Sequence, residues 1–290
     1  MSDVAIFLLD ATVKSLLIII TLLTGFAYTT LLERRWIALL QQRIGPNRAG
    51  PFGLLQPVAD GVKLFLKEDI IPTSADKVIF TIAPIITAVP AFIILAVVPV
   101  GDMLHINLFG WQYSTALGLA DVNVAVMYVL AVTSISVYGI ALAGWSSANK
   151  YAMMGGLRST AQMISYELAM GLMVLVPVMM VGSMSLRDII DGQANLWFIF
   201  IQPVAAVVFY TTALAETSRA PFDLPEAEQE LTAGFHSEYS GMKFAAFFMA
   251  EYMKMIAVSA IFAALFLGGF RLSIPFMAEG TVFLGGDLKH

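Results

Sequence analysis

Carboxylates are the residues in this chain that could do chemistry, and six of them fall in one polar stretch, ETSRAPFDLPEAEQELTAGFHSEYSGM, over 216–242. They are Glu216, Asp223, Glu226, Glu228, Glu230 and Glu238, against a single interior base, Arg219. Asp223-Leu-Pro-Glu226 reads as a capping box, with Asp223 as N-cap and Glu226 in the first helical turn, where acids suit the positive end of the dipole. Capping leaves Glu216, Glu228, Glu230 and Glu238 unexplained. Glu226 and Glu230 stand four apart, so on a helix they share a face and repel. Closely spaced carboxylates titrate as coupled groups, and some are driven toward neutrality. Such a group can take up and hand on protons at physiological pH. Metal binding is the competing use of acids. No histidine joins them at ligand spacing, His236 stands alone, and the glycine placement of a calcium loop is missing.

Three further sites carry charge where charge is expensive. Glu167 lies within an apolar run, where an ionised carboxylate costs about 2.5–3.5 kcal/mol. A hydrogen bond to a neighbouring helix and a place in a polar cavity are both open to it. Glu251 and Lys254 lie in another apolar run, three apart, so they share a helix face and can pair. That pair reads equally as a proton relay or as a self-neutralised structural element. Glu33-Arg34-Arg35 closes the first apolar run. Either its arginines snorkel beside an exposed acid, or Glu33 turns inward to pair with Arg34 or another base.

The elements that position these residues are membrane spans. Of 290 residues 59% are hydrophobic and 13% charged, and the mean hydropathy is +0.81. A span needs about 20 apolar residues. Six runs qualify, 11–32, 78–100, 122–145, 160–181, 197–215 and 244–267, so the fold class is an all-α polytopic membrane protein, one transmembrane domain throughout. Pro84, Pro90, Pro177 and Pro203 lie inside runs, which spans tolerate because neighbours satisfy the freed carbonyls. Lys and Arg gather in the first, third and fifth loops, while the second has none and the fourth only Arg187. The positive-inside rule then sets loops 1, 3 and 5, including the acidic loop 216–243, on the cytoplasmic side. In the first loop, 41–53 is rich in Gly and Pro and irregular. Residues 54–67 then turn into an amphipathic helix, with Leu55, Val58, Val62, Phe65 and Leu66 on one face and Gln56, Asp60, Lys63 and Lys67 on another. It lies in the membrane interface or packs on protein.

Other chemistries are excluded by absence. With no cysteine, the chain offers no thiolate to an iron–sulfur cluster and no disulfide. It has no phosphate-cradling G-x-x-x-x-G-K-[ST], no dinucleotide G-x-G-x-x-G after a strand, and no H-E-x-x-H. A net charge of −5 and the lack of a basic, aromatic-interleaved stripe give no sign of nucleic-acid binding. Any redox centre or nucleotide site belongs to partner chains.

Two segments carry a family resemblance. ERRWIALLQQRIGPNRAGPFGLLQPVADGVKLFLKE (33–68) and AETSRAPFDLPEAEQELTAGFHSEYSGMKFA (215–245) resemble the signature regions of the H-type membrane subunit of NADH:quinone oxidoreductase, the counterpart of subunit 1 in mitochondrial complex I. The similarity extends through the spans between them. The resemblance implies a subunit at the junction of the membrane and peripheral arms. It would form the quinone entry tunnel and couple quinone reduction to proton movement. Quinone, ubiquinone or menaquinone, would be the substrate, reduced in peripheral subunits. Flavin and iron–sulfur clusters would sit only in partner subunits, and the isolated chain would have no activity. Glu33, Arg34 and Asp60 would line the tunnel or its junction, and Arg219, Phe222 and Asp223 would shape the chamber. Glu167, Glu216, Glu226, Glu228, Glu230 and Glu251 would form the proton path. The location implied is the bacterial cytoplasmic membrane, among other membrane-arm and peripheral-arm subunits and lipid. Family members usually continue through further hydrophobic helices, whereas 273–290 is too short and polar to span. The expectation is a truncated sequence or lost terminal helices. The alternatives are the anchor of a related energy-converting hydrogenase or formate hydrogenlyase and, from another class, a stand-alone transporter, for which the repeated halves are missing.

Overall fold

The computed structural model describes residues 3–108, 111–223 and 234–271. The elements are α1 (Asp3–Leu40), α2 (Gln56–Leu66), α3 (Lys77–Ile94), a hairpin of β1 (Met103–Leu108) and β2 (Trp111–Ala116), α4 (Ala125–Ser146), α5 (Lys150–Val181), α6 (Leu186–Asp191), α7 (Phe198–Ile201), α8 (Pro203–Glu216) and α9 (Gly241–Phe266). Among the described residues five helices are long and apolar enough to cross a membrane: α1, α3, α4, α5 and α9.

Helices α3, α4, α5, α8 and α9 close a ring, each packed on the next, and α1 lies outside it against α9. The main core gathers Ile94, Val129, Val174, Phe209, Ile261 and Phe266. A second, toward the other end, joins Phe80, Ile140, Met163, Phe235 and Phe247. Outward faces stay apolar, as with Leu168, Leu172 and Met179 on α5. In water such a surface would drive aggregation, and in a bilayer it is the solvated one. Close approach between helices needs small residues. At Gly139 of α4 a Cβ would collide with Thr87 Oγ1 and lie 2.8 Å from the Thr87 nitrogen of α3.

Helix α1 runs well beyond the apolar run 11–32. Its 38 residues span about 57 Å. Charges mark its useful length: Lys14 pairs with Asp10 at 2.6 Å near one end, and Glu33 sits near the other. The interval between Lys14 and Glu33 is about 28 Å of helix, close to the hydrocarbon thickness. Only Leu22, Leu31 and Ala38 of its described side chains are buried. Asp76 caps α3, accepting from the Val78 and Ile79 nitrogens. Asn149 caps α5, which begins ten residues before the run 160–181. A cap is a local signal that hydropathy windows do not see.

One expected span takes a different form. The run 197–215 divides into α7 and α8 at Gln202, whose φ of −129° and ψ of 63° leave the helix. Pro203 then opens α8, where its missing N–H costs nothing. The 14 residues of α8 reach about 21 Å, short of a full crossing. The hairpin β1–β2, in register from Met103 against Ala116 to Leu108 against Trp111, fills the loop between α3 and α4. It is tied to α1, because Lys14 donates to Thr115 Oγ1 at 2.5 Å. Helix α2 matches the amphipathic segment, with Val62, Phe65 and Leu66 exposed and none of its residues buried.

Candidate functional site

Helix α8 ends at Glu216, and the turn that follows swings Arg219 back over the ring toward α1 and α9. Gln162 of α5 holds this turn through its amide nitrogen, which donates to the Ala215 carbonyl at 2.9 Å and to the Phe222 carbonyl at 2.8 Å. The Phe222 ring meets Tyr166 edge-on at 5.4 Å. Arg219 is thereby fixed between two carboxylates. Its Nη1 donates to Glu33 Oε1 of α1 at 2.9 Å, and its Nε lies 2.9 Å from Glu251 Oε1 of α9. Its guanidinium rests 4.3 Å from the ring centroid of Tyr252, a cation–π contact. The Tyr252 hydroxyl donates to Glu33 Oε2 at 2.6 Å. Burial pulls the Arg219 pKa down, but Glu251 first, with Tyr252 and Glu33, outweighs it and holds the guanidinium above its ordinary value.

A second ion pair lies deeper. Lys254 Nζ is 2.8 Å from Glu216 Oε1, and both side chains are almost fully buried. The same ammonium donates to Ser136 Oγ of α4 at 3.4 Å. Glu216, Glu251, Lys254 and Ser136 all line one cavity of about 40 Å3, with Thr87, Met163 and Phe235 among its walls. That is room for about three water molecules at roughly 10–15 Å3 of centre volume each. Glu216 Oε2 is buried there with no hydrogen-bond partner among the described residues. An unpaired buried oxygen is costly, and water in the cavity would satisfy it.

The fold brings some of the candidate residues together and leaves others apart. Glu33 turns inward, and its base is Arg219, not Arg34. Arg34 instead binds Asp60 of α2 at 2.6 Å, with Gln56 at 3.2 Å and Lys63 at 3.6 Å from the same carboxylate. Glu251 and Lys254 share a face of α9, yet their ion pairs run to Arg219 and Glu216. Glu167 stands apart, accepting from Ser134 Oγ and, at 3.4 Å, from Thr133 Oγ1 of α4. Glu238 accepts from Asn149 at 2.6 Å. Asp223 follows Phe222 at the end of the described turn, while Glu226, Glu228, Glu230 and hence the capping box lie outside the described residues. No group of three metal-ligating side chains occurs among the described residues. Sequence reasoning missed Tyr252, Ser134, Ser136 and Gln162. A hydroxyl or amide in an apolar run was the available signal, and it is weak, because most such hydroxyls bond their own helix.

With this geometry in place, comparison with known proteins places the chain. The family model described as NADH dehydrogenase matches residues 13–286. The chain belongs to the NADH dehydrogenase family. Its relatives include the second H-type subunit of NADH-quinone oxidoreductase from Geobacter metallireducens, 52% identical over 89% of this chain and 77% of the relative. The first H-type subunit from Geobacter sulfurreducens is 51% identical over 97% and 81%. That of Protochlamydia amoebophila is 50% identical over 86% and 75%. Both signature segments, 33–68 and 215–245, fall within the matched range. As a member of the NADH dehydrogenase family the chain is an all-α polytopic membrane protein, with α1 and the turn after α8 meeting at Arg219.

Proposed function

We propose that this chain is the membrane subunit of a proton-translocating NADH:quinone oxidoreductase, borders the path by which quinone enters, and couples quinone reduction to charge movement through its carboxylates. One observation carries the reading. Arg219 joins Glu33 to Glu251, and Glu251 shares a cavity with the buried Glu216. The entry path runs beside α1, α2 and α9, where apolar surface and the Arg34–Asp60 pair meet. Quinone is the substrate. The chain has no cysteine to ligate iron–sulfur clusters, so these and the flavin belong to partner subunits of the membrane and peripheral arms. Its place is the bacterial cytoplasmic membrane, with loops 1, 3 and 5 cytoplasmic, by the distribution of Lys and Arg.

A quinone needs an apolar passage with a few polar groups near its headgroup, and protons need titratable groups bridged by water. The cavity beside Glu216 meets the second need. Glu226, Glu228 and Glu230 continue the acidic path in this reading, and Glu167 continues it on α5. The test is Glu216→Gln, and separately Glu228→Gln and Glu230→Gln, in the assembled complex, with quinone reduction and proton pumping measured together. Reduced pumping is expected. Undiminished coupled activity in all three variants would sink the assignment.

A further inference from the structure

Arranged by contact, the charges of the site form a row of alternating sign. Glu33 meets Arg219, Arg219 meets Glu251, and Lys254 meets Glu216, at 2.9, 2.9 and 2.8 Å. Glu251 and Lys254 stand three apart on α9 and line the same cavity, which sets the two halves side by side. Three acids face two bases, so the fully charged row carries one excess negative charge. Its two ends differ in setting. Glu33 is about a third exposed at the edge of the bundle, and Glu216 is buried in its interior.

We propose that Lys254 is a positioning residue that links these halves. Its ammonium is held by Glu216 and Ser136 and faces the cavity that Glu251 also lines, so its position reports the charge on either acid to the other. The inference rests on the function proposed above and adds a residue to it. The geometry favours a sharing cation over a plain structural pair. A structural pair in a dry interior is retained only with its remaining atoms satisfied. Here Glu216 Oε2 is left to the cavity, and Ser136 Oγ, 3.4 Å from Nζ, is a long second contact rather than a tight clamp. Neutralising one acid removes one of the attractions on the ammonium, which then shifts toward the other acid. In a low-dielectric interior that displacement carries the signal without needing a continuous hydrogen-bond wire.

Other charged and titratable groups surround Lys254 among the described residues. From α9 they are Glu251 and Tyr252, from the turn after α8 Arg219, from α8 Glu216, and from α1 Glu33 through Arg219. The polar or polarisable walls contributed by α3, α4 and α5 are Thr87, Ser136 and Met163, the remainder being Pro90, Ala91, Ile94 and Ile140, and none of these titrates in the working range. Lys254 is therefore the cation within the cavity wall itself, and Arg219 is its counterpart outside it.

The test uses the assembled complex. Lys254→Gln keeps a donor for Glu216 but removes the charge, and Lys254→Arg keeps the charge. Assembly, quinone reduction and protons pumped per electron are measured for both and for Glu216→Gln. The expected result is assembled complex with loss of pumping per electron in Lys254→Gln and retention in Lys254→Arg. Normal pumping in Lys254→Gln overturns the proposal, and so does equal loss in both variants, because charge would then not be the operative property. If Lys254→Gln does not assemble, the double variant Lys254→Gln/Glu216→Gln is compared with Glu216→Gln alone. The link predicts no loss of pumping beyond that of Glu216→Gln, and a further loss on top of it overturns the link. Full coupled activity in Glu216→Gln together with Glu228→Gln and Glu230→Gln would instead overturn the underlying function, so the two failures are separable.

Discussion

Replacing Arg219 with methionine isolates the electrostatics of the site. The substitution keeps much of the apolar stem and removes the guanidinium from two carboxylates. Their contributions differ with exposure. Glu33 is 35% exposed as a side chain, so its pair with Arg219 counts as a surface contact of about 0–1 kcal/mol. Glu251 is only 14% exposed, and stripping a buried carboxylate of its counter-charge costs about 3–5 kcal/mol. The cation–π contact with Tyr252 adds about 0.5–1 kcal/mol. Arg219→Met should therefore destabilise the chain by roughly 4–7 kcal/mol, with Glu251 the dominant cause. Adding Glu251→Gln removes the stranded charge and should recover most of the loss. The assay is unfolding by sodium dodecyl sulfate in mixed micelles, followed by tryptophan fluorescence. Because Arg219 is held above its ordinary pKa, it is charged in the folded and the unfolded state throughout the neutral range. Its contribution is complete below the unfolded value and is lost only as pH rises through the folded one. The measured difference should be flat near neutral pH. A loss under 1 kcal/mol, or a double variant no more stable than Arg219→Met, would refute the reasoning.

Other outcomes follow from particular contacts. Gly139→Leu should destabilise by about 1–3 kcal/mol or more, because even its Cβ collides with Thr87 Oγ1 and the α3 backbone, and the same unfolding assay reads it. Arg34→Gln should cost under about 1 kcal/mol, since Arg34 is 47% exposed in its pair with Asp60, and a larger loss would point to a buried role. A peptide of residues 54–67 should bind anionic vesicles, and Lys63→Glu with Lys67→Glu should weaken that binding by at least about 1 kcal/mol per lysine. Equal partitioning of the two peptides would argue for α2 packing on protein alone.

The helices were legible because their signal is local. Runs of about twenty apolar residues and a 3.6-residue period are written in consecutive positions. Their ends were less legible, since capping by Asp76 and Asn149 depends on single side chains. The division at Gln202 escaped because hydropathy is continuous through Trp197, Phe198 and Pro203. At the site, residue types were readable and partners were not. Glu33 and Arg219 are 186 positions apart, and only the closing of α1 on α9 brings them together. Glu251 and Lys254 suggested each other by spacing, but their strongest contacts come from residues on other elements, which spacing along one helix cannot report.

The loose seat of α1 has a mechanical consequence. This helix touches the ring chiefly along α9 and buries only three of its described side chains, yet it brings Glu33 to the charge row. The row is therefore closed across a helix that sits outside the ring, like an electrical contact mounted on a hinged arm. A tilt of α1 by little more than one hydrogen-bond length would part Glu33 from Arg219 and Tyr252, while the Arg219–Glu251 and Lys254–Glu216 pairs stayed intact. Whatever presses on the flank of α1, lipid or a molecule entering beside it, thus has leverage over how many acids share the two cations.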